Sequence, residues 1–355
     1  MIAEWLDVSV PADLLAALVK DARLLPYGGG NFGMPLSLIA ESDDLIVPTD
    51  HFFVRSNGPV PRIDPDRWRL NLSGYVERDL TISLRELRAL PGRRVTSFLE
   101  CAGNSRTRFE PLMDGTPWRN DAVGNATWEG VPLGAVLDLA GVRDGAVDVV
   151  SQGADFPGMQ RGLPMTQARD PDTLLVWSMN GTDLPVAHGG PVRLIVPGWA
   201  AIASTKWLAE LRVLDRAFDG FYNADNYVMY NDAGEALRPV REMPVKSLIA
   251  SPAAGASLTS GDQQLTGFAW SGQGRVDRVE VSTDGGQSWT DATIDRAESR
   301  WSWVRFRHRW QARPGETALL SRATDERRMT QPVTVPWNAK GYLMNAVYPV
   351  NVTVI

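Results

Sequence analysis

Residues 68–74 run Trp-Arg-Leu-Asn-Leu-Ser-Gly, apolar and polar in alternation, which predicts a strand with one face buried. The valine- and leucine-rich runs at 147–150 and 192–196 predict further strands, and residues 84–90 suit a short helix. Such β-rich and brief helical runs alternate from Trp68 to about Phe221, the pattern of a mixed α+β domain. Past Pro244 the character changes. Residues 265–270, 276–283, 288–294, 301–311 and 318–324 are short, evenly spaced strand-like segments, parted by turn signals such as Gly272-Gln273-Gly274 and Asp284-Gly285-Gly286. That spacing predicts a β-sandwich of immunoglobulin-like type. The fold class expected is therefore α+β, with a first domain over 1–240 and a sandwich over 241–355. Within 301–310, Val304, Phe306, His308 and Trp310 share one face, and Arg305, Arg307 and Arg309 share the other, which is expected to be solvated.

Near the N-terminus, residues 11–20 place a proline in a first helical turn and leucines one and four apart, predicting a short amphipathic helix. Gly28-Gly29-Gly30-Asn31-Phe32-Gly33 satisfies the letter of a dinucleotide-binding glycine pattern. Its context fails, because a helix-like segment precedes it and Pro35 follows, so a flexible loop is expected instead.

The 355 residues suggest two domains at about 150 residues each. With 36 basic and 42 acidic residues the net charge is −6, which supplies no field for wrapping nucleic acid. Apolar runs such as Leu194-Ile195-Val196 are cut by Pro197 and Gly198, far short of the roughly 20 residues that span a bilayer, so no membrane segment is expected. Met1-Ile2-Ala3-Glu4-Trp5-Leu6-Asp7 is acidic where a secretory signal is basic, and the chain as it stands is expected to be cytoplasmic, or periplasmic if a signal was removed.

One cysteine forbids an internal disulfide, and three histidines leave too few ligands for a Cys/His zinc cluster. Cys101 sits in Ser97-Phe98-Leu99-Glu100-Cys101-Ala102-Gly103-Asn104-Ser105-Arg106, a strand-like run that breaks into a small-residue turn beside a cation. Positive charge favours the thiolate, the form that ligates soft metals, whereas most free cysteines are merely buried hydrophobes.

The cysteine turn resembles the molybdenum-ligating segment of the sulfite oxidase family. Four further segments follow in order. Phe52-Phe53-Val54-Arg55-Ser56-Asn57-Gly58-Pro59-Val60-Pro61 is similar to the family's cofactor loop, in which Arg55 would also face a substrate oxyanion; relatives often have histidine at the place of Asn57. Gly153-Ala154-Asp155 resembles a pterin-contacting loop. The longest match covers 177–198 and continues through Ser204-Thr205-Lys206-Trp207-Leu208, and it offers His188, Arg193 and Lys206 as donors to a phosphate-bearing cofactor. Trp337-Asn338-Ala339-Lys340-Gly341 resembles a segment that reaches back to the site. Many sulfite oxidases carry arginine where this chain has Lys340, and lysine lacks arginine's two-point grip on an oxyanion.

The resemblance implies a molybdenum-molybdopterin cofactor with Cys101 as metal ligand. Cofactor contacts would come from Phe53, Arg55, Asn57, Asp155, His188, Arg193, Ser204 and Lys206. Arg55, Arg106 and Lys340 would hold the substrate anion, Trp118 would line the pocket wall, and Tyr227 would steady substrate or a proton, with Tyr230 the competing tyrosine. The implied reaction is oxidation of sulfite to sulfate by oxygen-atom transfer. No Cys-x-x-Cys-His haem site is present, so electrons are expected to pass to a separate acceptor such as cytochrome c. A homodimer formed through the sandwich is implied as well. Nitrate or sulfoxide reduction at the same kind of centre is the alternative within enzymes. A non-catalytic, tryptophan-rich binding module is the alternative outside them.

Overall fold

The computed structural model describes residues 6–7, 18–40, 42–231 and 234–355. Sheet outweighs helix, for the α-helical segments Leu84–Arg88, Leu133–Ala140, Met165–Ala168 and Phe221–Ala224 are all short. The helix expected over 11–20 falls mostly outside the described residues. Among the described residues no helix is long and apolar enough to cross a membrane.

Two five-stranded sheets build most of the N-terminal part. One has the order Gln160–Pro164, Asp148–Gly153, Leu208–Leu214, Arg69–Gly74, Leu80–Ser83. Its central neighbours Leu208–Leu214 and Arg69–Gly74 run parallel, although more than a hundred residues separate them in sequence. Alternation predicted this strand correctly: Leu70 and Leu72 point inward. Leu84–Arg88 then begins at a capping box, in which the Ser83 hydroxyl accepts from the Glu86 amide and the Glu86 carboxylate accepts from the Ser83 amide. The second sheet has the order Thr182–Asp183, Leu174–Met179, Val123–Pro132, Arg93–Glu100, with Arg193–Ile195 also paired to Leu174–Met179. Asn180 and Gly181 join two of these strands through φ of +53° and +79°, the left-handed pair that a tight hairpin requires.

The C-terminal part holds two more sheets. Lys246–Ser251, Gly261–Trp270, Val304–Ala312 and Thr293–Ile294 form one, in that order. Ser257–Leu258, Val350–Val354, Gly315–Asp325, Val276–Ser282 and Thr290–Asp291 form the other. They share a core in which Leu265, Val304 and Phe306 of the first sheet meet Val279, Val281 and Ala323 of the second. The flanking strands 246–251 and 350–354 complete what the sequence pattern had suggested only in part.

The arginine face of Val304–Ala312 departs from expectation. Arg305 is 1% exposed and donates to the Asp44 carbonyl at 2.8 Å, while Arg307 bonds both carboxylate oxygens of Asp295. Only Arg309 lies open to solvent. The chain around Asp44 covers that face, a long-range contact that strand alternation cannot register.

The largest apolar cluster belongs to neither half alone. Val95, Phe98 and Trp128 of the second sheet join Leu248, Phe268, Trp270 and Trp303 of the C-terminal part in one buried mass. This shared core sits directly beneath the end of the Arg93–Glu100 strand.

Candidate active site

Strand Arg93–Glu100 buries its last four residues and delivers Cys101 at its end. The Cys101 amide donates to the Ala122 carbonyl at 2.9 Å, and its own carbonyl accepts from the Asn104 amide at 2.9 Å, closing a turn. Ser105 completes that turn at φ +70°, a conformation unusual for a residue other than glycine. The cysteine does not end in sealed hydrocarbon. It lines a cavity that also exposes Arg55, Asp155, His188, Arg193 and Lys206.

Backbone carbonyls help to hold Arg193 and Lys206. Arg193 is buried and gives Nη1 to the His188 carbonyl at 3.0 Å and Nη2 to the Ser204 carbonyl at 2.8 Å. Lys206 Nζ donates to the Ser56 hydroxyl at 2.8 Å and the Ala187 carbonyl at 3.1 Å. Gly189, at φ +100°, leaves room for Lys206: a Cβ there would lie 2.8 Å from the lysine Cβ. This glycine therefore serves the approach of one chain segment to another rather than of backbone to a ligand. Ser204 caps the loop by accepting from the Val196 amide at 3.0 Å. Phe53 packs into the cavity wall, and the Asn57 side-chain oxygen Oδ1 accepts from Arg55.

A second cavity opens beside the first. Arg55, Asn57 and Tyr227 line both. Arg106, Lys340 and Tyr342 line the outer one. Arg106 is anchored by the carbonyls of Lys340 at 3.1 Å and Thr116 at 3.0 Å. Gly103, Gly115 and Gly341 enclose it so closely that a Cβ on any of them would come within 2.7 Å of an arginine atom. Tyr342 stacks on Tyr227 with centroids 5.1 Å apart and planes 8° from parallel, and the Arg106 guanidinium stands 5.5 Å over the Tyr342 ring.

The electrostatics of the inner cavity are one-sided. Arg55, Arg193 and Lys206 line it, and Lys20 stands behind His188, while Asp155 is the only carboxylate among the residues lining it. Burial pushes Lys206 and His188 well below their ordinary values, and neighbouring cations push further the same way. Burial alone brings Arg193 down to about 9, and burial opposed by Asp50 brings Lys20 to about 7. Asp155 is pushed up to about 6 by burial against the pull of Lys206, and its Oδ1 is buried with no hydrogen-bond partner. Tyr227 is raised by burial, with Arg55 opposing. Cations stripped of water with one carboxylate among them call for an anion, and the orphaned Asp155 oxygen calls for a donor. A phosphate-bearing pterin offers both.

Of the residues expected from sequence, Phe53, Arg55, Asn57, Cys101, Asp155, His188, Arg193, Ser204, Lys206 and Tyr227 converge on the inner cavity, and Arg106 and Lys340 on the outer. Trp118 does not join them. It is fully buried, packs on Tyr27 at 4.5 Å between ring centroids, and lines neither cavity, which corrects its assignment to the pocket wall. Tyr230 spends its hydroxyl on the Asp225 carbonyl at 2.6 Å and also lines neither, whereas Tyr227 lines both. Three neighbours escaped the sequence reading. Lys20 reaches His188, and Asn31 Oδ1 accepts from the Ser56 amide at 2.8 Å and from Arg55 at 3.2 Å. Tyr342 is the third. Asn31 belongs to the glycine run taken for a flexible loop, which is a tight hairpin whose Gly28, Gly29 and Gly30 all have positive φ.

Comparison with known proteins agrees with this geometry. The family model described as "Oxidoreductase molybdopterin binding domain" matches residues 57–222, and that described as "Mo-co oxidoreductase dimerisation domain" matches 238–355. The mitochondrial sulfite oxidase of Rattus norvegicus is 35% identical over 90% of this chain, and the chain spans 63% of that protein's length. The sulfite oxidase of Arabidopsis thaliana is 30% identical, with 84% of this chain and 86% of that protein covered. Among solved structures, the sulfane dehydrogenase SoxCD from Paracoccus pantotrophus superposes with a TM-score of 0.85 at 28% identity, covering 96% of this chain and 90% of that one.

Proposed function

The chain belongs to the sulfite oxidase family of molybdopterin oxidoreductases, and from that premise we propose that it oxidises sulfite to sulfate and passes the electrons to a separate acceptor, cytochrome c being the first choice. The observation that carries the proposal is the opening of Cys101 onto the same cavity as a surplus of buried cations. When bound, molybdenum-molybdopterin supplies a two-electron centre that exchanges an oxygen atom with substrate. The Cys101 thiolate would hold the metal. Arg193, His188, Lys206 and the Ser204 turn would hold the anionic end of the cofactor, and Asp155 would accept from its ring system.

Substrate is the business of the outer cavity. Arg55 and Arg106 present guanidinium groups suited to a two-point grip on an oxyanion, and Lys340 adds a point charge. Tyr227, between the two cavities and facing Arg55, is placed to hold a proton on its hydroxyl while the anion is bound. The stacked rings of Tyr227 and Tyr342 restrict water on that side. We further assign catalysis to residues 1–240 and homodimer contacts to 241–355, which we read as an immunoglobulin-like sandwich.

A second reading, oxidation of sulfane sulfur, draws support from the SoxCD likeness and from the breadth of the outer cavity, whose rim includes the exposed Leu112 and Trp337. Lysine rather than arginine at position 340 keeps nitrate reduction as a third assay. Protein from a cofactor-competent host should carry close to one molybdenum per chain and reduce cytochrome c with sulfite. Cys101→Ser should abolish that turnover, and equal turnover in both proteins would refute the ligand role. Assays with a persulfide and with nitrate separate the three substrates.

A further inference from the structure

Burial and the cations of Lys20, Lys206 and Arg193 disfavour the protonated form of His188, and the two nitrogens of the neutral ring have different surroundings. Nε2 lies 2.6 Å from Lys20 Nζ and 3.4 Å from the Thr49 carbonyl, whereas Nδ1 meets no protein partner among the described residues. The ring edge packs against Phe52 at 5.5 Å and is itself part of the cavity wall. Which nitrogen carries the proton decides whether the histidine offers the cavity a donor or an acceptor.

Lys20 answers that question through its own valence. Its Nζ faces three acceptors: the carbonyls of Thr49 and Phe52, the latter at 2.9 Å, and His188 Nε2. As an ammonium, the form it takes below its pKa of about 7, Lys20 has three donors and no acceptor, so all three are matched only if Nε2 is bare. The proton of the neutral ring then sits on Nδ1. We propose that Lys20 is a positioning residue that fixes His188 as the Nδ1–H tautomer and so turns a hydrogen-bond donor into the cavity that receives the anionic part of the cofactor. This rests on the proposed function for the identity of the anion, though not for the tautomer. It gives residue 20, outside the 57–222 family match, a part in the site.

The chain has only three histidines, His51, His188 and His308, so the tautomer can be read directly. In long-range 1H–15N spectra of protein from a cofactor-competent host, labelled with 15N-histidine, removal of His51 and His308 in turn assigns the His188 signals. Below pH 7, where Lys20 is an ammonium, the wild type should show Nδ1 protonated and Nε2 bare. Lys20→Met should move His188 toward the Nε2–H form and lower molybdenum per chain roughly ten-fold, the size expected when an orienting partner is lost. Lys20→Arg, which keeps a donor, should retain the wild-type tautomer. Nε2–H in the wild type, or an unchanged His188 spectrum in Lys20→Met, would overturn the proposal. The tautomer is read whether or not metal is bound, so a wild type devoid of molybdenum would count against the proposed function alone.

Discussion

Lys246 Nζ lies 3.0 Å from Glu100 Oε1, with both side chains shut away from solvent. Glu100 is the last residue before Cys101, and Lys246 opens the first strand of the C-terminal part, so this ion pair ties the cysteine turn to the other half of the molecule. Asn104 Nδ2 at 2.8 Å and Trp270 Nε1 at 2.7 Å complete the carboxylate's partners, and Lys246 also donates to the Ser105 hydroxyl at 2.8 Å. Burial lowers the lysine's pKa and Glu100 opposes that shift.

Lys246→Met would strand a charged Glu100 in the core, and should lower unfolding free energy by about 3–5 kcal/mol. Adding Glu100→Gln removes the stranded charge and should recover most of the loss. Urea unfolding of the two variants and the wild type checks this. Equal stability of single and double variants would show that the pair is not what holds the turn.

Asn31→Ala leaves the Ser56 amide and Arg55 Nη1 without their shared acceptor. Arg55 keeps the Ser56 carbonyl and Asn57 Oδ1 as acceptors but is held less firmly, and KM for the oxyanion should rise by up to roughly ten-fold, about 1.4 kcal/mol, with a smaller change in kcat. Steady-state kinetics with sulfite tests this, and an unchanged KM would remove Asn31 from the site.

Gly115→Ala meets two obstacles at once. The residue has φ +112°, and the new Cβ would stand 2.3 Å from Arg106 Nη1. The variant should lose about 1–3 kcal/mol of stability and bind the oxyanion more weakly, because Arg106 must leave its cradle. Wild-type affinity in a folded variant would place Arg106 outside substrate binding.

The inner-cavity cations predict an alkaline gain in stability. Lys20 titrates at about 7 when folded and near 10.5 otherwise, so between those values the unfolded chain binds the extra proton. Unfolding free energy therefore rises with pH across that window, by up to about 1.4 kcal/mol per pH unit for each such group, and the penalty is fully developed below pH 7. Lys206 and Arg193 are lowered in the same sense. Asp155, raised to about 6 from 3.8, acts oppositely between those two values, where the folded chain holds the proton and stability falls as pH rises. Cofactor-free protein should melt at a higher temperature at pH 9 than at pH 7, and loading the cofactor should flatten the difference. A lower Tm at pH 9 would contradict a surplus of buried cations.

How far the sequence could be read depended on whether a signal was local. Alternation located the strand of Leu70 and Leu72, a local signal, whereas Cys101, His188, Arg193 and Lys206 were legible through contiguous segments that resemble the sulfite oxidase family, since the partners that hold Arg193 and Lys206, Ser204 and Ser56, are distant in sequence. Trp118 was misplaced because a tryptophan's burial in a wall or in a core depends on what packs behind it, here Tyr27. Lys20 was invisible for a similar reason. Its partners come from residues 49, 52 and 188, and no spacing along the chain records that meeting. Arg305 shows the same limit at the surface, where a distant segment carrying Asp44 turned an apparently solvated face into a covered one.

Arg55, Asn57 and Tyr227 line both cavities. Under the proposed function they form a party wall, with the cofactor's room on one side and the substrate's on the other. A change to any of the three is therefore felt in both rooms, and activity per chain cannot by itself tell a loading defect from a turnover defect. Rates measured on such variants acquire meaning only when divided by the metal each preparation carries.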